Sequence, residues 1–90
     1  MIVFYAKHCE GCKGNNALMR MKAECHKYGV EFSERRTILW QVYEREANAI
    51  MEINKGLDLP FFYNTETGAV LKGDSFTPLE EIRKLINESE

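Results

Sequence analysis

Three cysteines, two prolines, two histidines and one tryptophan in 90 residues leave this chain short of the side chains that most often staple, break or mark a fold. Three cysteines are too few for a disulfide-stapled scaffold, and an odd count leaves at least one thiol free in any paired scheme. Long apolar runs are also missing. The longest, Met1–Ala6, spans six residues, against roughly 20 for a membrane-spanning helix and about 7–15 for the core of a signal peptide. The expected setting is therefore the cytoplasm, without membrane partners, where thiols stay mostly reduced. Excess charge of one sign is absent too. Twelve basic and fourteen acidic residues give a net charge of -2 and a pI near 5.7, with no electrostatic footprint for nucleic acid. There is no internal repeat, linker or low-complexity tract, so residues 1–90 read as a single domain, expected to be a monomer.

What is present is punctuated hydrophobic periodicity. Residues 2 to 6 (Ile-Val-Phe-Tyr-Ala) form a continuous apolar run, the pattern of a strand buried on both faces. Residues 15 to 28 predict a helix with Ala17, Leu18, Met21, Cys25 and Tyr28 on one side, stopped by Gly29 at the position of a left-handed cap. Residues 30 to 36 begin with strand alternation at Val30 and Phe32. A second helix is expected over 38–54, with Leu39, Val42, Tyr43, Ala47, Ile50, Met51 and Ile53 on its apolar face and Lys55-Gly56 closing it. Leu59-Pro60-Phe61-Phe62-Tyr63 opens a third strand with proline at its start, where a missing N–H is tolerated. Residues 64–68 read as a hairpin loop and 69–72 as the returning strand. Thr77-Pro78, with Glu80 three residues after the threonine, signals a last helix carrying Leu79, Ile82, Leu85 and Ile86 on its buried stripe. The order is β-α-β-α-β-β-α. It predicts an α/β fold: a four-stranded mixed sheet with helices on both faces, the first two strands parallel through a right-handed crossover.

The chemistry concentrates in His8-Cys9-Glu10-Gly11-Cys12-Lys13, between the first strand and the first helix. A helix start offers unpaired N–H groups and the positive end of the dipole. A thiolate there is stabilised, and its pKa falls toward ~7 or lower. A spacing of three sets both sulfurs on one face. The motif alone is open between electron transfer, metal binding and a structural pair; its position between strand and helix favours electron transfer. Cys25 and His26 would complete a zinc set, but adjacent helical residues point about 100° apart, and Cys25 stands roughly 20 Å along the helix from Cys12. Cys25 is expected in the core as a small hydrophobe. Lys7 and Lys13 flank the pair, positioned to lower the Cys9 pKa or hold a substrate carboxylate. His8 is positioned to stabilise a thiolate or pass a proton, and Glu10 acts in the opposite sense.

These residues resemble the thioredoxin fold in its minimal, glutaredoxin-sized form. The frame Phe4-Tyr5-Ala6-Lys7-His8-Cys9-Glu10-Gly11-Cys12-Lys13 is similar to the family's active-site segment. Leu59-Pro60 looks like its cis-proline step, and Gly73-Asp74 falls where glutaredoxins carry a Gly-Gly and a nearby Asp for glutathione. The departures are specific: Cys-Glu-Gly-Cys replaces the usual Cys-Pro-Tyr-Cys or Cys-Gly-Pro-Cys, His8 replaces tryptophan, and Lys72-Gly73 replaces Gly-Gly. The resemblance implies a dithiol–disulfide oxidoreductase with Cys9 as nucleophile and Cys12 as resolving thiol. Its substrate, a protein disulfide or a low-molecular-weight one, would be held by Lys7, His8, Leu59, Pro60, Gly73 and Asp74. No metal or organic cofactor is called for; glutathione or a thioredoxin reductase would supply electrons. The rival expectations are a thioredoxin-fold binding module with dispensable cysteines and a zinc or iron–sulfur carrier.

Overall fold

The computed structural model describes residues 1–7, 16–37, 42–73 and 77–87. In chain order its elements are β1 (Ile2–Lys7), α1 (Asn16–Lys27), β2 (Phe32–Thr37), α2 (Val42–Ile53), β3 (Phe61–Asn64), β4 (Val70–Lys72) and α3 (Leu79–Asn87). The strands form one mixed sheet in the order β2-β1-β3-β4. β1 runs parallel to β2 and antiparallel to β3, and β3 pairs antiparallel with β4. This is the small α/β architecture that the sequence predicts.

The continuous apolar run of β1 follows from its central place. Ile2, Phe4 and Ala6 point to one face of the sheet, into a core with Ala17, Met21 and Cys25 of α1 and Ile82, Leu85 and Ile86 of α3. Val3 and Tyr5 point to the other face, against Ala47 of α2 and Phe61. Helices therefore cover both faces, two on one side and one on the other. The rings of Phe4 and Phe62 pack with centroids 4.8 Å apart at the centre of the larger core. Each such fully buried apolar side chain stabilises the fold by about 1.5–3 kcal/mol.

α1 ends as its glycine predicts. Gly29 has φ +69°, its N–H bonds to the His26 carbonyl, and the Val30 N–H reaches the Cys25 carbonyl at 2.8 Å. This double bond pattern satisfies carbonyls that the helix end would otherwise leave open. It also takes Val30 into the cap, so β2 starts at Phe32 rather than at residue 30. Pro78 directly precedes α3, and its carbonyl accepts the N–H groups of Glu81 and Ile82. The Thr77 hydroxyl donates to the Lys72 carbonyl at 2.9 Å, tying this helix start to the end of β4.

Several residues assigned to buried stripes lie outside them. Tyr28 is 41% exposed, past the last turn of α1, where Lys27 sits over its ring. Among the apolar residues expected on α2, Ala47, Ile50 and Met51 join the core on this face, while Val42 and Ile53 are 62% and 82% exposed. Leu39 and the first turn expected over 38–41 lie outside the described residues.

Candidate functional site

The strand ends bring four of the expected site residues to one end of the sheet. Lys7 closes β1 and pairs in register with Thr37; the Thr37 hydroxyl donates to the Ala6 carbonyl at 3.1 Å. On the other side Tyr5 pairs with Phe61, Phe4 with Phe62 and Val3 with Tyr63. That pairing ends at Tyr5 and Phe61, so Pro60 enters β3 at the end of the sheet where β1 finishes. β3 itself begins only at Phe61, so Leu59 and Pro60 lead into the strand instead of opening it as the sequence suggested. The Leu59-Pro60 peptide bond is cis, in agreement with the expectation drawn from the resemblance. Across the hairpin Phe61 pairs with Lys72, and the next residue, Gly73, donates its N–H to the Pro60 carbonyl at 3.0 Å. Lys7, Leu59, Pro60 and Gly73 thus share one end of the sheet, where β1 leads toward Cys9. Cys9 and Cys12 themselves, with His8, Glu10, Lys13, Trp40 and Asp74, lie outside the described residues.

Gly73 has a structural reason to be glycine. A Cβ there would stand 2.9 Å from Cε2 of Phe62 and 3.3 Å from Cε2 of Phe4. The space a side chain would need is filled by the two core rings. Leu59 and Pro60 are half-buried, and the Leu59 N–H is held by Oδ1 of Asp58 at 2.8 Å.

Under this end, on the α2 face, lies a polar cluster. Arg35 Nη1 donates to Glu46 Oε2 at 2.9 Å and to the Tyr5 hydroxyl at 3.2 Å, and that hydroxyl donates to the same Glu46 oxygen at 3.1 Å. The guanidinium also lies 5.2 Å from the Tyr43 ring centroid, a cation–π contact. Burial raises the Tyr5 pKa above its ordinary value; the Arg35 hydrogen bond opposes this and the Glu46 charge adds to it. Burial works against the Arg35 charge, yet Tyr5 and Glu46 hold its pKa above the usual arginine range. No local sequence pattern marks Arg35 or Glu46. They stand 30 and 41 residues from Tyr5 in the chain, beyond the reach of any local pattern.

The third cysteine is where the helix periodicity put it. Cys25 is buried in the core between α1 and the sheet. Burial pushes its thiol from 9.0 up to about 11; the N-terminal charge opposes the shift and Glu24 adds to it. Such a thiol is inert at neutral pH. His26, about 100° round the axis, is exposed while Cys25 is buried, so the two do not present a common pair of metal ligands. Among the described residues no three His, Cys, Asp or Glu side chains stand together as a metal site, and no helix is long and apolar enough to cross a membrane.

Compared with known proteins, the chain matches no family model, no curated protein and no solved structure.

Proposed function

We propose that this chain is a small thioredoxin-like dithiol–disulfide oxidoreductase, working in the cytoplasm on protein or low-molecular-weight disulfides. The observation that carries the reading is that β1 ends at Lys7 and the Leu59-Pro60 step enters β3 at the same end of the sheet. The chain runs from Lys7 straight into the Cys9–Cys12 motif and then into α1. The element order and the mixed parallel–antiparallel sheet are further support, since the resemblance implies both.

In this reading the Cys9 thiolate attacks one sulfur of a substrate disulfide. A Cys9–substrate disulfide forms, and the other substrate sulfur leaves as a thiolate that takes up a proton. The Cys12 thiolate then attacks the Cys9 sulfur and releases the second substrate thiol. Two electrons pass to the substrate, and the chain is left with a Cys9–Cys12 disulfide. Glutathione or a flavoprotein thioredoxin reductase returns it to the dithiol. Cys25 takes no part, because burial keeps it protonated. Lys7 and His8 beside the motif favour the Cys9 thiolate, and Glu10 opposes them. Leu59, Pro60, Gly73 and Asp74 contact the substrate.

Insulin reduction tests the proposal when coupled separately to glutathione with glutathione reductase and to thioredoxin reductase. Turnover with at least one system, lost in Cys9→Ser and kept in Cys25→Ala, is the expected result. Equal activity in Cys9→Ser would overturn it.

A further inference from the structure

β2 is an outermost strand of the sheet, and among the described residues β1 is its one neighbouring strand. The Ile2 N–H bonds to the Glu31 carbonyl at 2.9 Å, so Glu31, Ser33, Arg35 and Thr37 turn their backbone groups toward β1. By the alternation of a strand ladder, the N–H and C=O groups of Phe32, Glu34 and Arg36 point outward, away from the sheet. An open strand edge of this kind is a template for pairing with another chain. This one carries a charge of each sign on one face. Glu34 and Arg36 form an ion pair at 3.4 Å along the strand, on the face where Phe32 packs against the larger core.

We propose that this edge is a self-association surface: two copies of the chain pair antiparallel along β2, joining their four-stranded sheets about a two-fold axis at Arg35. The proposal is independent of the redox chemistry. Charge selects both the partner and the register. Backbone bonds form only where outward groups stand opposite outward groups. Of the pairings that meet this condition, the one centred on Arg35 sets Glu34 opposite Arg36 of the second copy and Arg36 opposite its Glu34. The two contacts are the same by symmetry, as an isologous interface requires. A shift of two residues in one direction sets Glu34 against its own copy, and in the other direction Arg36 against its own copy. Like charges directly opposite destabilise a sheet. On the other face Arg35 meets its own copy, but Glu46 balances its charge at 2.9 Å. The Tyr43 ring, 43% exposed, lies against that guanidinium, its centroid 5.2 Å away, and adds apolar surface beside the paired strands. This departs from the monomer expected from the sequence, because topology alone decides which strand is left at the edge. One strand edge and one ring per copy bury less than about 1,200 Å² in total, the range of weak contacts, so the dimer is expected to form at about 0.1–1 mM.

Sedimentation equilibrium of the whole chain, kept in reductant so that no disulfide links two copies, follows the mean mass up to about 1 mM protein. Wild type is expected to rise toward twice the monomer mass. Glu34→Arg and Arg36→Glu each set like charges opposite one another across the axis. Loss of the two attractive pairs alone weakens the dimer by about two- to thirtyfold. A mixture of the two variants restores both opposite-charge pairs and is expected to dimerise as wild type does, and so is the double charge swap. Circular dichroism checks that each variant is folded. Amide exchange on wild type gives a reading that needs no variant. Protection at Glu34 and Arg36 should rise with concentration, while Ser33 and Arg35, bonded to β1, stay protected throughout. A wild type that remains monomeric to about 1 mM overturns the proposal. So does self-association that both single variants keep, or that their mixture fails to restore, or that leaves the Glu34 and Arg36 amides unprotected.

Discussion

Replacing Asn64 by leucine removes the most deeply buried polar side chain of the described residues while nearly conserving its volume. Asn64 is 0% exposed. Its Nδ2 donates to the Leu85 carbonyl at 3.0 Å, and its Oδ1 accepts the Glu66 N–H at 3.0 Å. The first bond fastens the last turn of α3 to the sheet, and the second shapes the hairpin loop. The Leu85 carbonyl is among the last four of its helix, the ones that need a partner from outside it. Leaving that buried acceptor unsatisfied costs about 1–3 kcal/mol, and the loop bond adds about 0.5–1.5 kcal/mol. A total of about 1.5–4.5 kcal/mol is a large share of the ~5–15 kcal/mol that holds a domain of this kind together. It corresponds to a melting temperature lower by roughly 6–36 °C for a chain of this length. Urea and thermal denaturation of Asn64→Leu against wild type measure it.

Asn64→Asp sharpens the same test. It keeps the acceptor for Glu66 but sets a carboxyl oxygen against the Leu85 carbonyl. Desolvation and that carbonyl both disfavour the charged form, so the folded-state pKa rises above the unfolded value of about 3.9. The sign follows from linkage: below ~pH 4 both states are protonated and the electrostatic penalty is absent, and it grows as pH rises. Loss of less than about 0.5 kcal/mol in the leucine variant, within the range of ordinary surface substitutions, would refute the reasoning. So would a pH-independent aspartate variant.

Three further outcomes follow from the same geometry. Gly73→Ala is expected to lose about 1–3 kcal/mol by overpacking, because its Cβ would meet Phe62 at 2.9 Å and Phe4 at 3.3 Å; chemical denaturation reads the loss, and a neutral result would mean the rings can give way. In a spectrophotometric titration of the phenols, one tyrosine should ionise above the ordinary range, and Tyr5→Phe should remove that late step. Alkaline stability should depend on Cys25, whose thiol is pushed up to about 11. Because the folded pKa lies above the unfolded one, this contribution is complete at neutral pH and is lost as pH rises from about 8.5 through 11; Cys25→Ala should flatten that slope, and an unchanged slope would contradict the burial.

The elements were legible where one local pattern had one physical cause. In α3, Ile82, Leu85 and Ile86 recur at helical spacing and are all buried. In β1 the unbroken apolar run matches a strand with helices over both faces. The α2 stripe was read too broadly. A helix touches a sheet along one arc, here Ala47, Ile50 and Met51, and Val42 and Ile53 lie roughly 120–140° round the axis from Ala47 at 100° per residue. Hydrophobicity alone counted them in. At the candidate site, the proline step and the glycine were marked by residue type. The Asp58–Leu59 bond beside them was not, since it depends on which backbone group the carboxylate turns to meet. The same limit hid Asn64 and the Tyr5–Arg35–Glu46 cluster, because tertiary pairing, not local sequence, decides whether a polar side chain is solvated or buried with partners.

The most direct test of the central claim is the redox equilibrium of the three thiols. Protein equilibrated across a series of glutathione redox buffers, quenched with acid, alkylated and mapped by mass spectrometry, reports which cysteines pair at each potential. The oxidoreductase reading predicts a single Cys9–Cys12 disulfide with a midpoint of about -270 to -200 mV, and Cys25 recovered as a free thiol throughout, alkylated only after unfolding. Absence of a Cys9–Cys12 disulfide at every ratio, or oxidation that runs through Cys25, would contradict it.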